Sequence, residues 1–211
     1  MVESAETERK ERRPSDDYIM GLVEGEGCFS CGIGKYIDHR LRPSGRKNHR
    51  KHHAFPFHLV PSFRIGLVKK DAPVLKLVKR VLGCGEIYTV ERSKQYKNQR
   101  DVCQYYVQTH SDLYKLAEYF KKQKFYTTKG NDFQLWAQIL AIIKENRHNT
   151  KEGFLEICRL RDKMNQMKGK VRKRSTRKIK SILENPSEHI AAHLKPDNFI
   201  HNKHTGLSKV P

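Results

Sequence analysis

Nine residues concentrate the reactive chemistry of this chain: Ile19-Met20-Gly21-Leu22-Val23-Glu24-Gly25-Glu26-Gly27. Gly21 and Gly25 are four positions apart, so on a helix they share one face, where small residues let a second helix come close. Glycine inside a helix costs about 1 kcal/mol relative to alanine, so two in so short a stretch ask for a packing reason. Glu26 lies about 100° round the helix from Gly25, at its C-terminal end, and borders the contact between two such helices. If a second copy pairs across a twofold axis, two Glu26 carboxylates meet near it and repel. Mg²⁺ relieves that repulsion, because it takes carboxylate oxygens and keeps several waters; Mn²⁺ is the alternative ion. Such a metal activates a water toward a phosphodiester and stabilises the leaving oxygen. Glu26 and the adjacent Gly25 are therefore the candidate metal positions, and Gly21, Leu22 and Gly25 the candidate dimer contacts. Glu24, about 200° from Glu26, cannot share that metal.

The elements that must position this stretch are legible on either side of it. Ser15 is placed as an N-cap, with Asp16 and Asp17 in the first turn, where the helix dipole favours anions. Tyr18, Ile19, Leu22 and Val23 follow at helical spacing, and Gly27 is a C-cap. From Cys28 to Tyr36 the period becomes two, with Phe29, Cys31 and Ile33 on one face and Ser30, Gly32, Gly34 and Tyr36 on the other. A basic loop leads to a second strand over His58–Val68, carrying Phe63, Ile65 and Leu67 inward, and then a helix over Asp71–Leu82. Strands over Glu86–Glu91 and Val102–Thr109 come next, joined by the basic loop 92–100. Helices over Ser111–Lys121, Asp132–Glu145 and Glu152–Met167 complete an α+β order, αββα-ββ-α-α-α.

The chain has 211 residues, with 43 Lys and Arg against 23 Asp and Glu, a formal charge of +20. That imbalance predicts a polyanionic partner, bound through phosphate neutralisation and counterion release. No apolar run approaches the roughly 18 residues of a spanning helix, so no membrane partner is expected, and residues 1–14 lack the apolar centre of a signal peptide. Five cysteines, an odd number, read as reduced thiols of an intracellular protein. Residues 1–14 are expected as a disordered charged leader, 15–168 as the folded core and 169–211 as a basic C-terminal extension.

Residue for residue in type, Ile19–Gly27 resembles the motif of the LAGLIDADG homing endonucleases, and the resemblance extends over residues 15–168. It implies the family's αββαββα core, with an antiparallel four-stranded saddle, followed here by extra helices and a basic tail. A single motif is visible, which implies a homodimer and a roughly palindromic double-stranded DNA target. The resemblance also implies an intron-encoded, metal-dependent enzyme of a bacterial cytoplasm or an organelle (chloroplast or mitochondrion), cutting across the minor groove to leave 3′ overhangs. Phe125–Phe133 resembles the family stretch where a lysine reaches the active site, which assigns Lys129 beside Glu26 as a catalytic residue. The basic stretch after Met167 resembles the C-terminal extension of single-motif chloroplast enzymes, with Lys173, Arg174 and Ser175 as backbone contacts. Several relatives carry a glutamine near the end of the second strand; the nearest position here is Leu67, so either the register shifts by a residue or two or Lys69 or Lys70 fills the electrostatic part of that role.

Strand alternation supplies the candidates for base reading, since a two-stranded ribbon fits the major groove: Ser30, Gly32, Gly34, Tyr36, His58, Ser62, Arg64, Tyr88, Gln104, Tyr106 and Gln108. Loops 39–53 and 92–100 would grip phosphates, which position a protein without choosing sequence. Two alternatives compete. Cys28 and Cys31 have zinc-ligand spacing but fall on opposite faces of a strand. A non-cleaving binder on the same fold, such as a splicing maturase with intron RNA as partner, agrees with the missing glutamine.

Overall fold

The computed structural model describes residues 13–35, 57–93, 98–166, 174–184 and 207–209. The Ser15 hydroxyl accepts from Tyr18 N at 3.2 Å and starts helix α1 (Asp16–Glu26). The Gly27 N–H closes it on the Val23 carbonyl. The chain then turns directly into strand β1 (Gly27–Lys35). A Cβ on Gly27 would overlap the Val23 carbonyl oxygen, so only glycine allows helix and strand to join this tightly.

The remaining elements follow in the expected order: β2 (Phe57–Val68), a 3₁₀ turn (Lys69–Asp71), α2 (Ala72–Leu82), β3 (Glu86–Val90), β4 (Val102–Val107), α3 (His110–Lys121), α4 (Lys129–Lys144) and α5 (Lys151–Lys163). Two further elements, α6 (Thr176–Glu184) and β5 (Leu207–Lys209), complete it. The strand order is β1-β2-β4-β3-β5. The αββαββα core is therefore present, with a fifth strand that the sequence reading leaves out. Among the described residues no helix is long and apolar enough to cross a membrane.

Two compact units divide the chain, and β1 and β2 each run through both. The first comprises Met1–Phe29, Ser62–Gly130 and Asn202–Pro211. Its core gathers Ile19 and Val23 of α1 with Phe63, Ile65, Leu75, Tyr105, Leu113, Leu116 and Phe120, all at most 1% exposed. Phe29 is the hub of its rings, 4.9 Å from Phe63, 5.4 Å from Phe120 and 6.3 Å from Phe125. In β3 and β4 burial alternates strictly. The register sets Arg64 opposite Tyr106, and Gly66 and Tyr88 both opposite Gln104, so these residues share the outer face. Ile65, Leu67 and Cys103 share the inner one, which turns Leu67 away from the outer face.

The second unit comprises Ser30–Pro61 and Asn131–His201. Its core joins Ile33 and Phe57 to Phe154, Leu155, Cys158, Ile179 and Ile182. The last two belong to α6, so part of the expected tail is a docked helix sharing a core with α5. The sequence reading gives this stretch no structure, because a helix of nine residues is not stable by itself. Several expected boundaries also move. Helix α4 begins at Lys129 and not at Asp132, and just before it the Thr127 hydroxyl accepts from Lys129 N at 3.3 Å. Helix α5 stops at Lys163, because Asn165 turns to positive φ (47°) and gives its N–H to Asp132 Oδ1 at 2.8 Å. Strand β4 ends at Val107, leaving Gln108 in the link to α3.

Candidate active site

Helix α1 delivers its two glutamates to different fates. Glu24 Oε1 accepts from Tyr126 N at 2.6 Å, Thr127 N at 2.9 Å and the Thr127 hydroxyl at 3.3 Å. The Thr127 N–H, with those of Tyr126 and the Thr127 hydroxyl, outweighs partial desolvation and holds the Glu24 carboxyl below the usual carboxylate range. Glu26 is exposed at the end of the helix and bonds to none of the described residues. One acid is consumed by the fold; the other is free to act.

Lys129 comes to the same place. Its Nζ donates to the Gly27 carbonyl at 2.6 Å, one residue beyond Glu26. Three constraints hold it there. Glu24 anchors the backbone at 126–127, Phe125 packs among Phe29 and Phe120, and Gly130 lies so close to Phe125 that a Cβ would sit 2.8 Å from that residue's Cβ. The Lys129 cation thus bonds to the residue that follows a carboxylate with no partner among the described residues, at a helix C-terminus where the last carbonyls, Gly25 among them, lack helical partners. Such a set can take a hard cation on the acid side and stabilise an anion on the lysine side.

The exposed face of α1 carries Gly21 and Gly25, both with open space above them, and Tyr18, which is 50% exposed. Leu22 is half-buried beside them. This face is covered by none of the chain's described residues.

Of the expected base-reading positions, Arg64 is exposed, with no partner among the described residues, beside Tyr106. Tyr88 and Tyr106 rings lie 6.5 Å apart, centroid to centroid. Ser62 lies on the Arg64 side of β2 by alternation but is only 6% exposed, because alternation gives the side of a sheet and not what covers it. Gly34 is overhung by the His58 ring, whereas Gly32 is exposed and Ser30 half-buried. Gln108 is exposed beyond the end of its strand. Arg174 is exposed, and its guanidinium donates to the Ile33 carbonyl. Ser175 is half-buried. Tyr36, Lys173 and loop 39–53 lie outside the described residues. Cys28 and Cys31 occupy one continuous strand, Cys31 being 4% exposed, and among the described residues no group of three or more His, Cys, Asp or Glu gathers.

A family model described as "LAGLIDADG endonuclease" matches residues 19–140, more than half of the chain. This chain belongs to the LAGLIDADG endonuclease family. It carries one copy of the motif. It is 27% identical over 146 residues to the "Probable intron-encoded endonuclease 3" of Neurospora crassa, an alignment covering 69% of this chain and 24% of that protein. With the "Probable intron-encoded DNA endonuclease 1" of Mycosarcoma maydis it shares 31% identity over 116 residues, 54% of this chain and 33% of that one. The chain thus spans no more than about a third of these curated relatives. Among solved structures, the homing endonuclease I-TnaI matches with a TM-score of 0.59 and 28% identity, over 82% of this chain and 98% of that chain. The archaeal intron-encoded homing endonuclease I-Vdi141I, solved with DNA, shares the fold at a TM-score of 0.61 and 24% identity, over 80% and 93%.

Within this LAGLIDADG chain, the anchoring contacts of Glu24 are not legible in the sequence. Glu24 is separated from Glu26 by helix geometry, yet its task as anchor of the Lys129 segment involves residues 102 and 103 positions away. The usable signal was the pair Thr127-Thr128 before a helix, a capping signature that points to a nearby acceptor or donor.

Proposed function

We propose that this chain is a homing endonuclease that hydrolyses both strands of a long, roughly palindromic DNA site, using Mg²⁺ or Mn²⁺, as a homodimer. The observation that carries this reading is the end of α1, where Glu26 stands free and the Lys129 ammonium is held 2.6 Å from the carbonyl of the next residue. One chain offers a single unengaged carboxylate with the Gly25 carbonyl beside it. These are hard oxygen donors of the kind that bind Mg²⁺, and a fuller set requires a second chain. A divalent cation held there supplies an activated water and stabilises the leaving oxygen.

The chain's own residues do the remainder. Gly21 and Gly25 leave room for a second α1 to approach, which brings two Glu26 side chains to one axis. Glu26 orients the hydrolytic centre. Lys129, held rigidly, places its positive charge against the scissile phosphate as negative charge grows there. The outer face carrying Arg64, Tyr88, Gln104 and Tyr106 binds the duplex groove, and exposed Lys and Arg outside it neutralise phosphates. Cutting across the minor groove to leave 3′ overhangs, and encoding within an intron of an organelle or bacterial gene, belong to the same reading.

A second reading, a non-cleaving DNA or intron-RNA binder, is favoured by Leu67, which sits opposite Cys103 on the inner face and offers no amide to the groove. Incubating the purified chain with a duplex library and Mg²⁺ or Mn²⁺ separates the two. Defined double-strand cuts, with a dimer in sedimentation, support the endonuclease; tight binding with no cut in either metal leaves the binder. Glu24 provides a finer check. Glu24→Ala should bind DNA normally but cut roughly 10- to 100-fold more slowly, the scale for a small displacement of a reacting group. Glu24→Gln should recover part of the rate, because its amide oxygen still accepts from the 126–127 backbone.

A further inference from the structure

We infer that Gly34 is a specificity-determining position that acts through His58, by seating its imidazole where it meets one base pair of the major groove. The inference rests on the endonuclease reading, in which the outer sheet face carries the DNA. Strands β1 and β2 are neighbours in the sheet. Ile33 and Phe57 point into the core of the second unit, so alternation turns Gly32, Gly34, His58 and Val60 to the opposite face. There the two glycines of β1 make room for the side chains of β2. A Cβ on Gly34 would come well inside 3.0 Å of His58 Cε1 and Nε2, and within 2.9 Å of Nδ1. A Cβ on Gly32 would sit 3.5 Å from Val60 Cβ.

All three atoms nearest to a Cβ at position 34 belong to one imidazole ring, at the far end of a side chain that can rotate. Gly34 has ordinary strand backbone, without the positive φ found at Gly83 and Gly85. Replacing it with alanine therefore displaces one ring and leaves the strand able to form. The ring is worth fixing. An imidazole carries two distinct nitrogens, so its orientation decides which donor or acceptor enters the groove. Held against the Gly34 backbone it reads one edge; released, it reads several weakly. Val60, packed over Gly32, adds an apolar surface of the type that meets a thymine methyl.

The test is selection of bound duplexes from a randomised library by the full-length wild type, Gly34→Ala, His58→Ala and the double variant, with thermal melts of each. The wild type should return a consensus. Gly34→Ala and His58→Ala should both lose preference at the same one or two base pairs, by roughly fivefold to a hundredfold, and the double variant should add nothing to His58→Ala. Melting of Gly34→Ala should stay close to wild type. An unchanged consensus for Gly34→Ala, or a change at base pairs that His58→Ala leaves alone, overturns the inference. So does a Gly34→Ala chain that fails to fold, because the seat would then belong to the backbone and not to the ring. A wild type that returns no consensus at all removes the endonuclease reading itself, a result distinct from the other three.

Discussion

Glu26→Gln should bind its DNA site about as well as the wild type and lose double-strand cutting by roughly three orders of magnitude or more, the upper range for removing one preorganised electrostatic group. The substitution keeps size and polarity and removes only the charge. Because Glu26 bonds to no described residue, no part of the fold depends on it, and melting should be unaltered. The contrast with Glu24 makes this informative: that carboxylate holds three donors and its loss acts through position. Lys129→Met should fall between them, about 10²- to 10³-fold slower with binding nearly unchanged, since only one phosphate contact is given up. Single-turnover cleavage at saturating duplex separates the three, because it reads chemistry without product release. Cutting by Glu26→Gln at a rate within tenfold of wild type would remove this residue from the site.

What could be read from residues alone follows from range. Ser15, the Ile19/Val23 spacing and Gly27 are local signals, and α1 runs between the expected caps. Alternation assigned Phe29, Cys31 and Ile33 to the core, where they are buried. It could not assign Ser62, because a period of two gives the side of a sheet and not its cover. The roles of Glu24 and Arg174 were hidden for a related reason. Each satisfies backbone groups more than 100 residues away, and no periodicity encodes which distant amide or carbonyl lacks a partner. Helix α6 lies between these cases. Ile179, Ile182 and Leu183 supply its apolar contacts, yet a basic nine-residue segment forms a helix only where something receives it.

The receiver is Arg161, and its removal is the second large effect expected. Arg161 is 5% exposed, donates to Asp162 Oδ1 at 2.7 Å and also donates to the Arg174 carbonyl. Asp162 Oδ2 in turn accepts from Thr176 N at 2.8 Å and the Thr176 hydroxyl at 2.6 Å, capping α6. Arg174 closes the circuit on Ile33 of β1. Arg161→Ala leaves Asp162 without its cation and a strand carbonyl's donor without its anchor, and should cost about 1–3 kcal/mol, the scale for losing charged hydrogen bonds, because the Asp162 side chain is 28% exposed and keeps its Thr176 donors. Arg161→Lys should recover only part, because both bonds come from Nη2 at the end of the longer guanidinium side chain, and an ammonium on a different stem does not reproduce that placement. Acid should weaken the same circuit. Burial alone would raise the Asp162 carboxyl, but the Thr176 hydroxyl, Arg161 and the Thr176 N–H together bring it below its ordinary value of 3.8. A carboxyl lowered on folding adds stability above its unfolded pKa and loses it as the pH falls through the folded one. The wild type should therefore lose this contribution below about pH 4, and Arg161→Ala should show a shallower dependence there. Urea unfolding across pH measures both. If the segment after residue 168 were a loose arm for phosphates and nothing more, Arg161→Ala would stay within about 0.5 kcal/mol of wild type, and α6 would have no part in holding β1.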